Sequence, residues 1–193
     1  MNKSASAHFD KLRPSQVNSN FVRLDTKALV GSALLGIVFV LVQQFAHRID
    51  ALLNPACVII GGITWATFTG LVALLFRQPA GVITGEVQAF VALATGLSPL
   101  APFFIPANAL GSLSYSFVAR RLSMTRLSHH LVAQIFTNLA GNACVAVGLR
   151  MILNLPIPVI VISSSITATA GIIGGTFLTK SIYANLKKSG LTE

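Results

Sequence analysis

Long uncharged windows recur along the chain, separated by basic residues or by short turns that contain Gly and Pro. Six of these windows are long enough to form membrane helices. In chain order they are Ala28 to Ala46, Ala51 to Phe76, Gln78 to Thr95, Leu100 to Ala119, Leu131 to Leu149 and Ile157 to Thr179. The breakers "GLSP" at 96–99 and "NLPIP" at 154–158 divide the later windows. The pattern therefore predicts an all-α integral membrane protein, folded as a bundle of six transmembrane helices.

Polar segments flank the apolar windows at both ends of the chain. We expect residues 1–27 to form a cytoplasmic N-terminal tail, residues 28–180 a six-helix membrane domain, and residues 181–193 a cytoplasmic C-terminal tail. Residues 1–27 contain no apolar core followed by a small-residue cleavage site, so we expect no cleavable signal peptide.

The composition supports the membrane interpretation. The chain is 53% hydrophobic and 10% charged, with a mean hydropathy of +0.74, whereas an ordinary soluble domain is about 25% charged. The net charge of +9 also raises the question of nucleic-acid binding. The basic residues lie between apolar windows and not along an amphipathic face, so the positive-inside rule explains them better and we expect no nucleic-acid partner.

The distribution of positive charge predicts the orientation in the bilayer. With six crossings, twelve of the 14 Lys and Arg residues fall on the side of the termini. Only Arg48 and Arg150 fall on the other side. Both termini are therefore predicted to be cytoplasmic, in a multi-pass protein of a bacterial-type plasma membrane.

Several catalytic and metal-binding patterns are absent or misleading in this sequence. "GGTFLTKS" at 174–181 resembles a phosphate-binding loop, but Thr179 stands where the motif needs Gly and the segment ends a membrane helix. His129 and His130 lack ligand partners at helical spacing and are interpreted as an interfacial loop. Cys57 and Cys144 are interpreted as buried small hydrophobic residues. We therefore predict no enzymatic activity, no cofactor and no metal site.

Small residues recur at helical spacing in three of the windows. They lie in the first window (Ala28, Ser32, Gly36), in the third (Gly81, Gly85, Ala89, Ala92, Gly96) and in the sixth (Ser164, Ala168, Gly171, Gly175). In lipid, such stripes let helices approach closely. Each stripe is therefore either an internal packing surface or a docking surface for another subunit.

Glu86 is the only acidic residue between Asp50 and Glu193, and it interrupts the third window. A carboxylate inside a membrane helix costs a few kcal/mol or more, so it is a functional candidate. Glu86 lies roughly 13 Å along the helix from Arg77, near mid-depth. We assign Ile83, Val87 and Val91 to the lipid face, so Glu86 is predicted to face the bundle interior. Ligand contact, a hydrogen bond to a neighbouring helix and proton relay all remain open for it.

Other polar residues are predicted at a similar depth in the neighbouring helices. Pro106 should kink the fourth helix beside an amide, and an amide stripe runs along the fifth helix. The predicted substrate-binding residues are Glu86, Asn108, Ser112, Tyr115, Asn138, Asn142, Trp65 and Thr167. An apolar pocket with a few placed hydrogen-bonding groups suits a small polar molecule. We interpret Gln134 as a residue that joins helices, whereas joining and ligand contact stay open for Asn138 and Asn142.

Two segments, "RQPAGVITGEVQAFVALATG" and "PLAPFFIPANALGSLSYSFVARRL", resemble the third and fourth helices of known transporter subunits. These are the substrate-binding S components of energy-coupling factor (ECF) transporters, and the nearest are the YkoE-type components of thiamine-precursor uptake. The resemblance implies a subunit of an ABC transporter that captures a vitamin outside and is driven by a membrane T component and two cytoplasmic ATPases. It implies that Glu86 meets an aminopyrimidine ring, as in hydroxymethylpyrimidine or thiamine. It also implies that Ala28, Ser32 and Gly36 dock on the T component.

Two other functions remain open on the sequence. The chain could be a small stand-alone carrier that couples transport to protons through Glu86. It could also be a structural or assembly subunit of a membrane complex, in which Glu86 pairs with a partner protein.

The predicted orientation determines which loops an impermeant thiol reagent reaches. In a background that lacks Cys57 and Cys144, single cysteines placed at 47–52 or 150–156 should be labelled from outside intact cells. Cysteines placed at 120–128 should be labelled only after the membrane is opened, because six crossings put that loop in the cytoplasm. Labelling of the 120–128 loop from outside would exclude the six-span arrangement.

Overall fold

The structure is a computed structural model that describes residues 25–53 and 58–190. These residues form six α-helices and no β-strand. The helices are α1 (Thr26–Leu53), α2 (Ile60–Leu75), α3 (Ala80–Ala94), α4 (Ala101–Arg121), α5 (Leu127–Met151) and α6 (Ile157–Lys188). The all-α prediction is confirmed. The predictions for Cys57 and for most of the N-terminal tail lie outside the described residues.

Three of the six helices are long and apolar enough to cross a membrane, namely α1, α5 and α6. Helices α2 and α3 are apolar but shorter, with 16 and 15 residues. Helices α1 and α6 carry rows of exposed large apolar side chains, among them Phe45 and Ile162. Such surfaces suit a hydrocarbon solvent and not water. Length, composition and exposed apolar surface together indicate a membrane protein.

Consecutive helices pack antiparallel to one another. Between α1 and α2, the rings of Phe39 and Phe68 stack with centroids 4.8 Å apart. Farther along the same pair, the Thr64 hydroxyl donates to Gln43 Oε1 over 2.6 Å. Gln43 follows Phe39 in α1, whereas its partner Thr64 precedes Phe68 in α2. The two helices therefore run in opposite directions. The same alternation through α6 brings the beginning of α1 and the end of α6 to one end of the bundle.

Helix α2 is the centre of the bundle. It packs against each of the other five helices, which form an arc around it in the order α1, α3, α4, α5, α6. The two ends of this arc, α1 and α6, do not contact each other over the described residues. No residue of Ile60–Leu75 is exposed. The sequence of α2 permits this position because it carries no charge and has glycine or alanine on several sides.

Most of the small residues in the predicted stripes pack inside the bundle, whereas Gly96 lies in the exposed turn after α3. A Cβ added at Gly85 would lie 2.6 Å from Asn108 Cβ of α4, and one added at Gly36 would lie 2.6 Å from Val87 Cβ of α3. Ala28, Ser32 and Gly36 are all buried in the described bundle. The Ser32 carbonyl also accepts a hydrogen bond from the Thr84 hydroxyl over 2.9 Å. The three α1 residues predicted to dock on a T component are thus buried within the described bundle, Ser32 and Gly36 of them against α3.

Four helix boundaries differ by several residues from those predicted. Helix α5 begins at Leu127 and not at Leu131. Helix α1 continues through His47 and Arg48 to Leu53, so the second helix begins at Ile60 and not near Ala51. Helix α6 continues past Lys180 to Lys188, through residues assigned to the C-terminal tail. Charged residues mark where a helix would leave hydrocarbon, but they have good helix propensity and do not end the helix itself.

The packing of α1 against α3 can be tested with Gly36→Val. The added side chain meets Val87 and the Thr84 carbonyl, so the free energy of unfolding in detergent should fall by about 1–3 kcal/mol. The matched control is Ala143→Val, because Ala143 is exposed on α5 and should tolerate the change within about 0.5 kcal/mol. Equal stability of the two variants would show that α1 does not pack here as described.

Candidate functional site

Asn108 joins three helices near the middle of the bundle. Its Oδ1 accepts from Trp65 Nε1 of α2 over 2.7 Å. Its Nδ2 donates to the Gly85 carbonyl over 2.6 Å and to Gln88 Oε1 over 3.0 Å, both in α3. The side chain is buried. Asn108 was predicted to contact a ligand, but in this structure both ends of its amide are engaged by neighbouring helices.

Ser112 belongs to a second polar group, one turn farther along α4. Gln78, which lies just before α3, donates from Nε2 to Ser112 Oγ over 3.0 Å and to Ser116 Oγ over 2.8 Å. All three side chains are buried. The group fastens the α2–α3 connection to α4, and Gln78 was not singled out from the sequence.

Tyr115 meets a buried histidine that sequence reasoning placed elsewhere. His130 was interpreted as part of an interfacial loop, whereas it lies inside α5 and is buried. Its Nε2 is 2.9 Å from the Met124 carbonyl, which can only accept, so Nε2 carries the proton. Nδ1 then accepts from the Tyr115 hydroxyl over 3.0 Å. The signal in the sequence is spacing, because His130 lies four residues before Gln134 and so extends the amide stripe of α5.

The amide stripe of α5 is a ladder of hydrogen bonds. Gln134 donates from Nε2 to the Ala66 carbonyl of α2 over 2.9 Å, which agrees with the helix-joining role expected of it. Asn138 and Asn142 each donate from Nδ2 to the backbone carbonyl four residues earlier, over 2.9 Å in both cases. Asn138 Oδ1 is buried without a partner among the described residues, and Asn142 is only partly buried.

The indole of Trp65 lies between α4 and α5. A Cβ at Gly111 or Gly141 would collide with the ring, so these two glycines provide the space for it. One turn away on α2, Gly62 gives similar room to Thr167 of α6. Trp65 and Thr167 both retain partial exposure. Trp65 of α2 and Thr167 of α6 thus lie within about one helical turn of each other along α2.

The predicted site residues divide by accessibility along the bundle. Trp65, Asn142 and Thr167, nearer the end with the α1–α2 and α5–α6 connections, are partly exposed. Ser112 and Tyr115, nearer the opposite end, are buried. Asn108 and Asn138 lie level with the partly exposed residues and are buried, so accessible and buried polar groups stand side by side in that half of the bundle.

Glu86 does not lie where the sequence predicted. Val87, which was assigned to the lipid face, packs on Gly36 of α1. The exposed apolar residues of α3 are Phe90 and Leu93, which are 57% and 45% exposed. On a helical wheel they lie about 40° and about 20° from Glu86. Glu86 therefore shares the outward face of α3, although its Oε2 is buried and has no hydrogen-bond partner among the described residues.

Asp50 is a structural carboxylate that sequence reasoning did not single out. Its two oxygens accept from the backbone N–H groups of Ile60 and Gly61, each over 2.8 Å, and the side chain is buried. Asp50 of α1 thus caps the beginning of α2 from outside that helix. A local capping pattern could not reveal this, because the cap comes from ten residues earlier in the chain.

The described residues contain no group of three or more His, Cys, Asp and Glu side chains placed to hold a metal ion. No protein-family model, curated protein or solved structure matches this chain. Any functional conclusion therefore depends on the chemistry and geometry of its own residues.

The hydrogen bond between Tyr115 and His130 can be tested with Tyr115→Phe. Loss of the hydroxyl leaves a buried Nδ1 acceptor unsatisfied, so the free energy of unfolding should fall by about 1–3 kcal/mol. Tyr183→Phe is the matched control and should change stability by less than about 0.5 kcal/mol, because Tyr183 is only partly buried. Equal effects of the two substitutions in equilibrium unfolding would contradict the assigned bond.

Proposed function

We propose that this chain is the substrate-binding membrane subunit, or S component, of an ECF-type transporter that imports a small vitamin-like molecule. The observation that carries the proposal is that three of the predicted site residues retain accessible surface in the same half of the bundle. Trp65, Asn142 and Thr167 are partly exposed there, beside buried polar side chains such as Asn108 and Asn138, whereas Ser112 and Tyr115 in the other half are buried. Polar groups that are accessible from one side only suit a subunit that captures a ligand on that side. The resemblance of residues 77–122 to S components adds to the case.

The proposal includes six membrane crossings with both termini in the cytoplasm. Two observations support this orientation. The antiparallel order puts the beginning of α1 and the end of α6 at one end of the bundle. That end also carries Arg77, Arg120, Arg121 and Lys180, as the positive-inside rule requires of a cytoplasmic face. The accessible end then faces the outside, where a vitamin would be captured.

The accessible residues indicate what kind of ligand would fit. Trp65 offers an aromatic surface, and Asn142 and Thr167 offer an amide and a hydroxyl. An apolar wall with a few polar groups suits a small ring-containing molecule with hydrogen-bonding edges. The expectation of a pyrimidine depended on Glu86 in the interior, and Glu86 lies on the outward face. We therefore propose a small aromatic vitamin or precursor as the substrate class, with hydroxymethylpyrimidine and thiamine among the compounds to be tested.

The proposal requires partners that supply energy. The segment "GGTFLTKS" at 174–181 has Thr179 where a phosphate-binding loop needs Gly. We therefore assign ATP hydrolysis to two separate cytoplasmic ATPases that act through a T component. Because Ala28, Ser32 and Gly36 are buried in the described bundle, contact with a T component is assigned to a surface other than this stripe.

A second candidate function is favoured by one observation. The outward position of Glu86 suits a structural or assembly subunit that pairs with another membrane protein. The stand-alone proton carrier has less support, because a relay through the bundle requires the carboxylate on the inside. Ligand binding distinguishes the S component from the assembly subunit.

Binding can be measured as thermal stabilisation of the full chain in detergent by a panel of water-soluble vitamins and precursors. At least one compound should raise the melting temperature, because a ligand that binds only the folded state stabilises it. Asn142→Leu and Thr167→Val should each lower the affinity for that compound by about tenfold, since each removes a hydrogen-bonding group. Asn185→Leu, on the exposed cytoplasmic end of α6, is the control and should not change the affinity.

Two results would exclude the binding proposal. One is the absence of stabilisation by any compound, together with mass spectra that show no small molecule co-purifying with the protein. The other is a stabilising compound whose affinity is the same in the Asn142, Thr167 and Asn185 variants.

A further inference from the structure

Over the described residues, one side of α3 packs against no other helix. The stripe of Gly81 and Gly85 packs on α4, and Thr84 and Val87 pack on α1. The remaining side carries Glu86, Phe90 and Leu93, and we call it the α3 outer face. It combines two exposed apolar side chains with the carboxyl group of Glu86.

Glu86 lies too deep to reach water along its own helix. It is roughly 9 Å from Ala80 and roughly 12 Å from Ala94, the two ends of α3. A glutamate side chain is shorter than either distance, so it cannot extend to an interface as a long lysine does. Its Oε2 is buried and has no hydrogen-bond partner in the described chain. An ionisable group at this depth is costly unless something pairs with it.

The described chain supplies no cation at this depth. Its Lys and Arg residues lie at the ends of helices or in the connections, as Lys27, Arg48, Arg77, Arg120, Arg121, Arg126, Arg150, Lys180, Lys187 and Lys188. A second copy docked symmetrically through the same face would bring two Glu86 carboxyl groups together. The complement of the α3 outer face is therefore sought in a different polypeptide.

We propose that the α3 outer face docks a transmembrane helix of another protein, and that a Lys or Arg near the middle of that helix pairs with Glu86. Charge complementarity specifies this occupant, because a cation satisfies the carboxylate while Phe90 and Leu93 provide apolar contact on the same face. A lone lipid tail could cover the two apolar residues but offers Glu86 no donor. The inference does not depend on the proposed vitamin transport, since it uses none of the accessible interior residues.

The test is site-specific photocrosslinking in membranes of the cells that encode the chain. A benzophenone amino acid replaces Phe90 in the full-length protein, and the control carries it at Ile162, which is 61% exposed on α6. The probe at Phe90 should join one polypeptide, within about one helical turn of a Lys or Arg in an apolar segment. The probe at Ile162 should not yield that product. Adding Glu86→Leu should reduce the yield at Phe90 at least tenfold, because the cation then has no partner.

Measurements on the isolated protein separate docking from a structural or ligand-binding role. Glu86→Leu should leave the melting temperature unchanged or raise it, since leucine suits an outward apolar face better than an unpaired carboxylate does. The same variant should bind the stabilising vitamin as tightly as the parent. A lower melting temperature would instead indicate an interior structural role, and weaker vitamin binding an interior ligand role.

The crosslinking result can overturn the proposal in four ways. Adducts at Phe90 that contain only lipid would show that the face is simply solvated by the bilayer. A product with a second copy of this chain, a partner segment that lacks Lys and Arg, or a yield unchanged by Glu86→Leu would each exclude pairing with a cationic helix. None of these results bears on vitamin binding, so this proposal and the transport proposal fail independently.

Discussion

Helix α2 packs against all five other helices, so its polar side chains and the ends of its backbone must find partners in its neighbours. Hydrocarbon offers no hydrogen bonds to compensate a missing partner. The Gly61 carbonyl accepts from Gln43 of α1, the Ala66 carbonyl from Gln134 of α5, and the Trp65 indole donates to Asn108 of α4. Each of these three amides is satisfied by a group of α2 at its own depth. Many of the polar side chains of this apolar chain are therefore accommodated by the central helix.

This constraint explains why polarity alone is a weak guide to a binding site in such a protein. Asn108 and Asn142 look equivalent as amides at mid-depth, yet Asn108 is buried with both ends engaged and Asn142 retains accessible surface. The first connects helices, and the second keeps part of its surface exposed. Accessibility, which depends on how closely the neighbouring helices pack, separates the two amides. The three partly exposed residues lie in the same half of the bundle.

The helices themselves could be predicted, because apolar windows of spanning length have few alternative structures. The small-residue stripes were also informative, since Gly81 and Gly85 do face another helix. The position of Glu86 could not be predicted in the same way. A helical wheel orders the residues of α3 around its axis, but α3 is apolar on nearly every side, so the wheel does not say which side a neighbour covers. The structural roles of Asp50 and His130 were not predicted for a related reason. Their hydrogen-bond partners lie more than two helical turns away in the sequence, beyond the range of a local pattern.

The arc around α2 does not close, because α1 and α6 have no contact with each other over the described residues. A closed ring resists any change in the spacing of its members, since widening one seam must narrow another. In the open arc, α1 packs on α2 and α3, and α6 packs on α2 and α5, so each end of the arc is held on one side only. The helix order therefore leaves one flank of α1 and one flank of α6 without a helix neighbour over the described residues.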